Sequence, residues 1–152
     1  LGDVYKRQVI RFLSQTGLRI NEARQLRWGD VKEDHLSLPA GITKNGDPRC
    51  VPFIPDLAKT LKRLRALDAG EFVLPREAVR MGIYKACKRA GVPRLSHHDF
   101  RHLFATRCIQ SGVDLPTVAR WLGHSDGGAL LARTYFHHVD DHSRKMAAKV
   151  VV

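Results

Sequence analysis

Between residues 35 and 53 the hydrophobic period of the chain changes, and that change most restricts the folds open to it. The stretch His35-Leu36-Ser37-Leu38-Pro39 alternates as a strand does, whereas the segments on either side repeat their apolar residues at helical spacing. Asn45-Gly46 then stands between two extended runs, a strong short-range hairpin signal, because both central residues of a type I′ turn need positive φ. The pattern predicts a small three-stranded antiparallel sheet near residues 35–53. The expected class is α+β, mainly helical, with that sheet set against a helix bundle.

The helices are marked by their ends. Val9, Ile10 and Leu13 fall at near-helical spacing in a helix expected over 5–15, which Gly17 stops. A short helix over 21–27 takes Asn21 as its cap and turns Leu26 and Trp28 toward the core. Pro55 opens a helix with a stripe of Leu57, Leu61, Leu64 and Leu67, and Gly70 ends it. A short extended stretch at 72–75 precedes a basic helix over 76–90, closed by Gly91 with Pro93 beyond. Ser96 caps a helix running to about Gln110, and Gly112 terminates it. Asp114 and Pro116 start another through Leu122, and two more short helices are expected over 126–135 and 140–149. Capping is the expected role of the carboxylates Asp99, Asp114 and Asp126.

Charge narrows the partners. The 152 residues carry 26 Lys and Arg against 15 Asp and Glu, a formal net charge of +11, which points to a polyanionic partner. Between Lys59 and Arg94 stand ten basic residues and three acidic ones. Lys59, Lys62, Arg63, Arg80, Lys85, Lys88 and Arg89 are the candidates there for gripping the phosphates of such a partner. No uncharged apolar run approaches the roughly 18 residues of a membrane span, and residues 1–8 lack the apolar core of a signal peptide, so the expected compartment is the cytoplasm. Those eight residues are expected to be a non-native leader, with one domain over 9–152. Cys50, Cys87 and Cys108 are odd in number and form no Cys-x-x-Cys, which signals neither a disulfide framework nor a zinc site.

One constellation carries chemistry. His98-Asp99-Phe100-Arg101 opens an expected helix, and its spacing puts His98 and Arg101 on one face, where both can meet one anion. The helix N-terminus adds free N–H groups and a partial positive charge. Alone, the pattern His-x-x-Arg is a weak signal. It is joined by Thr16-Gly17-Leu18-Arg19-Ile20-Asn21-Glu22 on a glycine-permitted turn, by Lys44 at the hairpin tip, by Leu122-Gly123-His124 at a helix end, and by Thr134-Tyr135.

Arg, Lys, His-x-x-Arg, Gly-His and Tyr in this order closely resemble the catalytic domain of the tyrosine recombinase, or phage integrase, family. The resemblance covers the chain from about residue 9 to its end. It implies an integrase-like core and site-specific DNA strand exchange through a covalent 3′-phosphotyrosyl intermediate, without ATP or another cofactor. Carried over by position, it implies Tyr135 as nucleophile and Arg19 and Arg101 on the non-bridging oxygens of the scissile phosphate. His98 and His124 would hydrogen-bond that phosphate or handle protons, and Lys44 would be the general acid for the leaving 5′-oxygen. Glu22 would support the first arginine, and His102 would have a supporting, structural part. Arg49 competes with Lys44 for the proton-donor role.

The residue types suit the reaction. Charge builds on phosphoryl oxygens as a phenol attacks, and planar, permanently charged guanidinium forks meet it. His98 and His102 stand at i, i+4, the spacing of a metal pair, but no matching carboxylate motif accompanies them and no metal is expected. The resemblance also implies a separate N-terminal DNA-clamping domain, absent from this chain, and self-association on DNA into a tetrameric synapse. Two other readings compete: a non-catalytic DNA-binding remnant, and an enzyme that relaxes DNA like a type IB topoisomerase.

Overall fold

The computed structural model describes residues 2–67, 70–74, 79–126, 128–135, 144 and 147–150, and for 79–82, 130 and 135 the backbone alone. Seven helices and one hairpin are found among them. Helix α1 spans Asp3–Thr16 and ends on Gly17, whose φ of 61° lets its N–H reach back to Leu13 O. Helix α2 (Ile20–Gln25) is capped by Arg19 rather than the expected Asn21, because Glu22 folds its carboxylate back onto the Arg19 N–H at 2.8 Å.

Strands β1 (His35–Leu38) and β2 (Arg49–Pro52) pair antiparallel, Leu36 opposite Val51 and Leu38 opposite Arg49. The sheet therefore has two strands, not the expected three. Pro39 cannot donate to a ladder, and the chain after it coils into a 3-10 turn at Ala40–Ile42 instead of extending. Nor is the connection a type I′ hairpin. Gly46 has φ 74°, but Asn45 does not have positive φ, and the Gly46 N–H reaches Thr43 O at 3.4 Å across a turn centred on Lys44 and Asn45. The loop is long and leaves Lys44 exposed at its tip.

Helix α3 (Leu57–Leu67) buries Leu57, Leu61 and Leu64 together with Thr60, but Leu67, at the end of the stripe, is exposed. Helix α4 (Val79–Ala90) follows, then α5 (His97–Gln110), α6 (Leu115–Leu122) and α7 (Ala129–Tyr135). The three carboxylates expected to cap do so. Asp99 accepts from Ser96 N at 2.6 Å and Ser96 Oγ at 2.7 Å, Asp114 from Thr117 N at 2.9 Å, and Asp126 from Gly128 N at 3.1 Å. The helix expected over 140–149 falls largely outside the described residues. Cys50, Cys87 and Cys108 are free thiols.

Two apolar clusters form the core. The first gathers α1, the hairpin, α3 and α4 around Phe12, Leu13, Leu36, Leu64 and Phe100. The second joins α5, α6 and α7 through Phe104, Ile109, Val118, Leu122 and Leu131. Helix α5 thus gives Phe100 to one cluster and Phe104 to the other, with Arg101 between them at the seam. No helix among the described residues is long and apolar enough to cross a membrane.

Candidate active site

The seam is closed by the C-terminus of α6. Its last carbonyls have no partner within the helix and carry the negative end of the helix dipole, so cations belong there. Three guanidiniums supply them. Arg101 donates to Leu122 O at 2.6 Å and to Gly17 O at 2.8 Å. Arg19 donates to Leu122 O at 3.2 Å and Gly123 O at 3.0 Å. Arg49, opening β2, donates from Nε to Trp121 O at 2.9 Å.

Glu22, almost wholly buried, sets a carboxylate inside this group. It accepts from Arg49 Nη2 at 2.7 Å and Arg19 Nη1 at 3.2 Å. Burial by itself pushes the Glu22 pKa up, yet the Arg49 hydrogen bond and charge, with the Arg19 backbone N–H, outweigh it and hold the carboxyl below the usual range. Three guanidiniums against one carboxylate leave a net positive pocket.

His124 follows the left-handed Gly123 that ends α6. Burial and then the Arg101 charge depress its pKa, with Arg19 and Arg49 adding to the effect and Asp126 opposing it. Its Nδ1 is buried without a hydrogen-bond partner among the described residues. The imidazole stands where two cavities meet. One, about 180 Å³, is lined by Arg19, Lys44, Arg49, Arg120 and His124. The other, about 240 Å³, is lined by His98, Arg101, His102, His124 and Thr134.

The structure thus brings Arg19, Lys44, His98, Arg101, His102 and His124 to two adjoining cavities, with Glu22 beneath them. Tyr135 follows Thr134 as the last residue of α7, and its side chain lies outside the described residues. The other candidates lie elsewhere. Lys59, Lys62 and Arg63 are exposed on α3, and Lys85, Lys88 and Arg89 on α4, and none of them lines either cavity. Lys59 pairs with Asp56 at 3.1 Å, and Arg89 pairs with Asp3. The side chain of Arg80 is outside the described residues. Among the described residues no group of three His, Cys, Asp or Glu could hold a metal ion.

Sequence reasoning left Arg49 as a competitor of Lys44 and did not place it in the buried network. A signal was present: a strand's period of two sets Arg49 on the same face as Val51, the buried residue of β2.

A mainly helical domain with one short hairpin, closed around an arginine-rich cationic pocket, is the class that fold and site define. The chain belongs to the phage integrase family, whose model matches residues 2–142. It is 31% identical over 147 residues to the tyrosine recombinase XerA of Saccharolobus solfataricus, a match covering 94% of this chain and 49% of that protein. To the tyrosine recombinase XerD of Neisseria meningitidis serogroup A it is 30% identical over 135 residues, covering 78% and 46%. The chain spans about half the length of these curated relatives. Among solved structures, the crystal structure of XerA recombinase superposes with a TM-score of 0.68 at 21% identity, covering 98% of this chain and 64% of that one. The lambda integrase catalytic core gives 0.67 at 20% identity, covering 79% and 80%. The fold is that of an integrase catalytic core.

Proposed function

We propose that this chain is the catalytic domain of a tyrosine-type site-specific recombinase, cytoplasmic, acting on double-stranded DNA and assembling on it with further copies. The observation that carries this reading is the meeting of Arg19 and Arg101 on one carbonyl oxygen, beside His124 and the cavities that Lys44 and His98 line. In the proposed reaction the Tyr135 hydroxyl oxygen attacks the scissile phosphorus, the bond from phosphorus to the 5′-oxygen breaks, and the phenolic proton leaves to a base. Arg19 and Arg101 hold the two non-bridging oxygens, where charge develops, and His98 and His124 hydrogen-bond the same phosphate. Lys44 protonates the departing 5′-oxygen, and Glu22 and His102 support the arrangement. The phosphotyrosyl linkage retains the energy of the broken bond, so attack by a 5′-hydroxyl reverses the step without ATP. The surface lysines and arginines of α3 and α4 are proposed to hold flanking phosphates.

The test is adduct formation on a nicked suicide substrate. The unaltered chain is expected to become covalently attached, and Tyr135→Phe, which removes one oxygen and keeps the ring, is expected to bind DNA and form no adduct. DNA binding without an adduct by the unaltered chain would mark a non-catalytic module. Relaxation of supercoiled DNA without joining of two sites would mark a topoisomerase-like enzyme.

A further inference from the structure

We propose that Arg49 is a positioning residue that aims Lys44, its guanidinium fixing the Lys44-bearing loop against the C-terminal end of α6. This rests on the recombinase reading above, in which Lys44 is the proton donor. The Arg49 side chain is 7% exposed, and a guanidinium so buried is tolerated only where acceptors meet it. Glu22 and Trp121 O supply two of those acceptors, so the start of β2 is seated in one place. Gly123 permits the approach: a Cβ there would lie 2.8 Å from Arg49 Nη1.

Lys44 through Pro48 are all exposed. The loop is tied on one side by Ile42, packed against the first core cluster, and on the other by Arg49. Lys44 lies five residues before that second tie and lines the same cavity as Arg49, Arg19 and His124. Displacing Arg49 therefore moves the loop relative to the other two. Arg49 is assigned no proton-donor part, because its Nε and Nη2 are already given to Trp121 O and Glu22.

The test compares Lys44→Ala, Arg49→Ala, Arg49→Lys and Gly123→Ala on ordinary suicide DNA and on DNA with a 5′-bridging phosphorothiolate, whose leaving group needs no proton. Arg49→Lys keeps a charge beside Glu22 where Arg49→Ala fails to fold, and Gly123→Ala displaces Arg49 while leaving it present. Each variant is expected to slow adduct formation on ordinary DNA by about 100-fold, the order of effect of a small misplacement, and to recover most of that rate on the phosphorothiolate. Recovery by Lys44→Ala but not by the folded Arg49 variants would overturn the proposal, as would unchanged rates. A second measurement needs no activity: backbone amide order parameters at Lys44, Asn45 and Gly46 are expected to fall in Arg49→Lys while those of α1 hold. Unchanged order parameters would also overturn it. If the unaltered chain forms no adduct on either substrate, the recombinase reading fails, and the order parameters alone decide whether Arg49 holds the loop.

Discussion

Arg19 and Arg101, 82 positions apart in the chain, donate to the same acceptor, the carbonyl oxygen of Leu122, at 3.2 and 2.6 Å. That oxygen belongs to the last residue of α6, so one helix end sets the spacing of two guanidiniums that have no direct bond to each other. Neither arginine is placed by its own helix alone.

The two arginines are not equal as supports. Arg101 is buried and also satisfies Gly17 O, whereas the Arg19 side chain is 26% exposed and shares Leu122 O with Arg101. Arg101→Ala is expected to destabilise the fold by about 1–3 kcal/mol, the cost of leaving a buried polar group unpaired. Arg19→Ala is expected to cost less. Urea unfolding midpoints at constant slope measure both, and a larger loss for Arg19→Ala would refute the ranking.

Removing Glu22 tests the network from its centre. Glu22→Ala leaves Arg49 and Arg19 facing each other without a counter-charge, and breaking a buried pair in this way costs about 3–5 kcal/mol. Glu22→Gln keeps the shape and one acceptor oxygen and is expected to lose less. Equal midpoints for the two variants in denaturant unfolding would show that charge at this position is unimportant.

Gly17 is held to glycine by both its backbone and its neighbours. A Cβ there would sit 2.5 Å from Phe104 Cδ1 and 2.8 Å from Leu122 Cδ2, at φ 61°. Gly17→Ala is expected to destabilise by about 2–4 kcal/mol, combining the left-handed penalty with overpacking. Gly46, at φ 74° with nothing within 4 Å of its would-be Cβ, isolates the backbone part. Gly46→Ala is therefore expected to cost about 1–2 kcal/mol. Thermal unfolding of both variants checks the difference, and comparable shifts would remove the packing contribution at Gly17.

Acid is expected to weaken the site in two stages. His124 and Glu22 both have pKa values depressed in the folded chain, so each favours its deprotonated form there and contributes stability at neutral pH. Falling pH removes the His124 contribution first, from about pH 6.5 downward, and the Glu22 contribution below about pH 4.3. The stability of the unaltered chain relative to His124→Gln, measured by urea unfolding between pH 7.5 and 5, should decline as pH falls. A flat or rising difference would contradict the cationic surroundings assigned to His124.

The motifs that carry the candidate residues and the ends of helices α5 and α6 were legible without coordinates. Ser96 with Asp99, Asp114 with Thr117, and the terminating Gly112 and Gly123 act within a turn or two, so short-range chemistry specifies α5 and α6. The order Arg19, Lys44, His98, Arg101, His124, Tyr135 is likewise a property of the sequence. What tertiary structure decided was where these groups stand and what each one meets. A third strand had been expected because extended character was read from local pattern, but a strand needs a neighbour to pair with, and after Pro39 the chain turns away into a 3-10 turn. The strand period sets Arg49 on the face of β2 that carries buried Val51, but what it meets there is decided by the packing of β2 on α6, which presents the Trp121 carbonyl from 72 positions away. Guanidinium contacts across such separations depend on how two apolar clusters meet at one helix. Period and capping, which reach only a few residues along the chain, carry no record of that meeting.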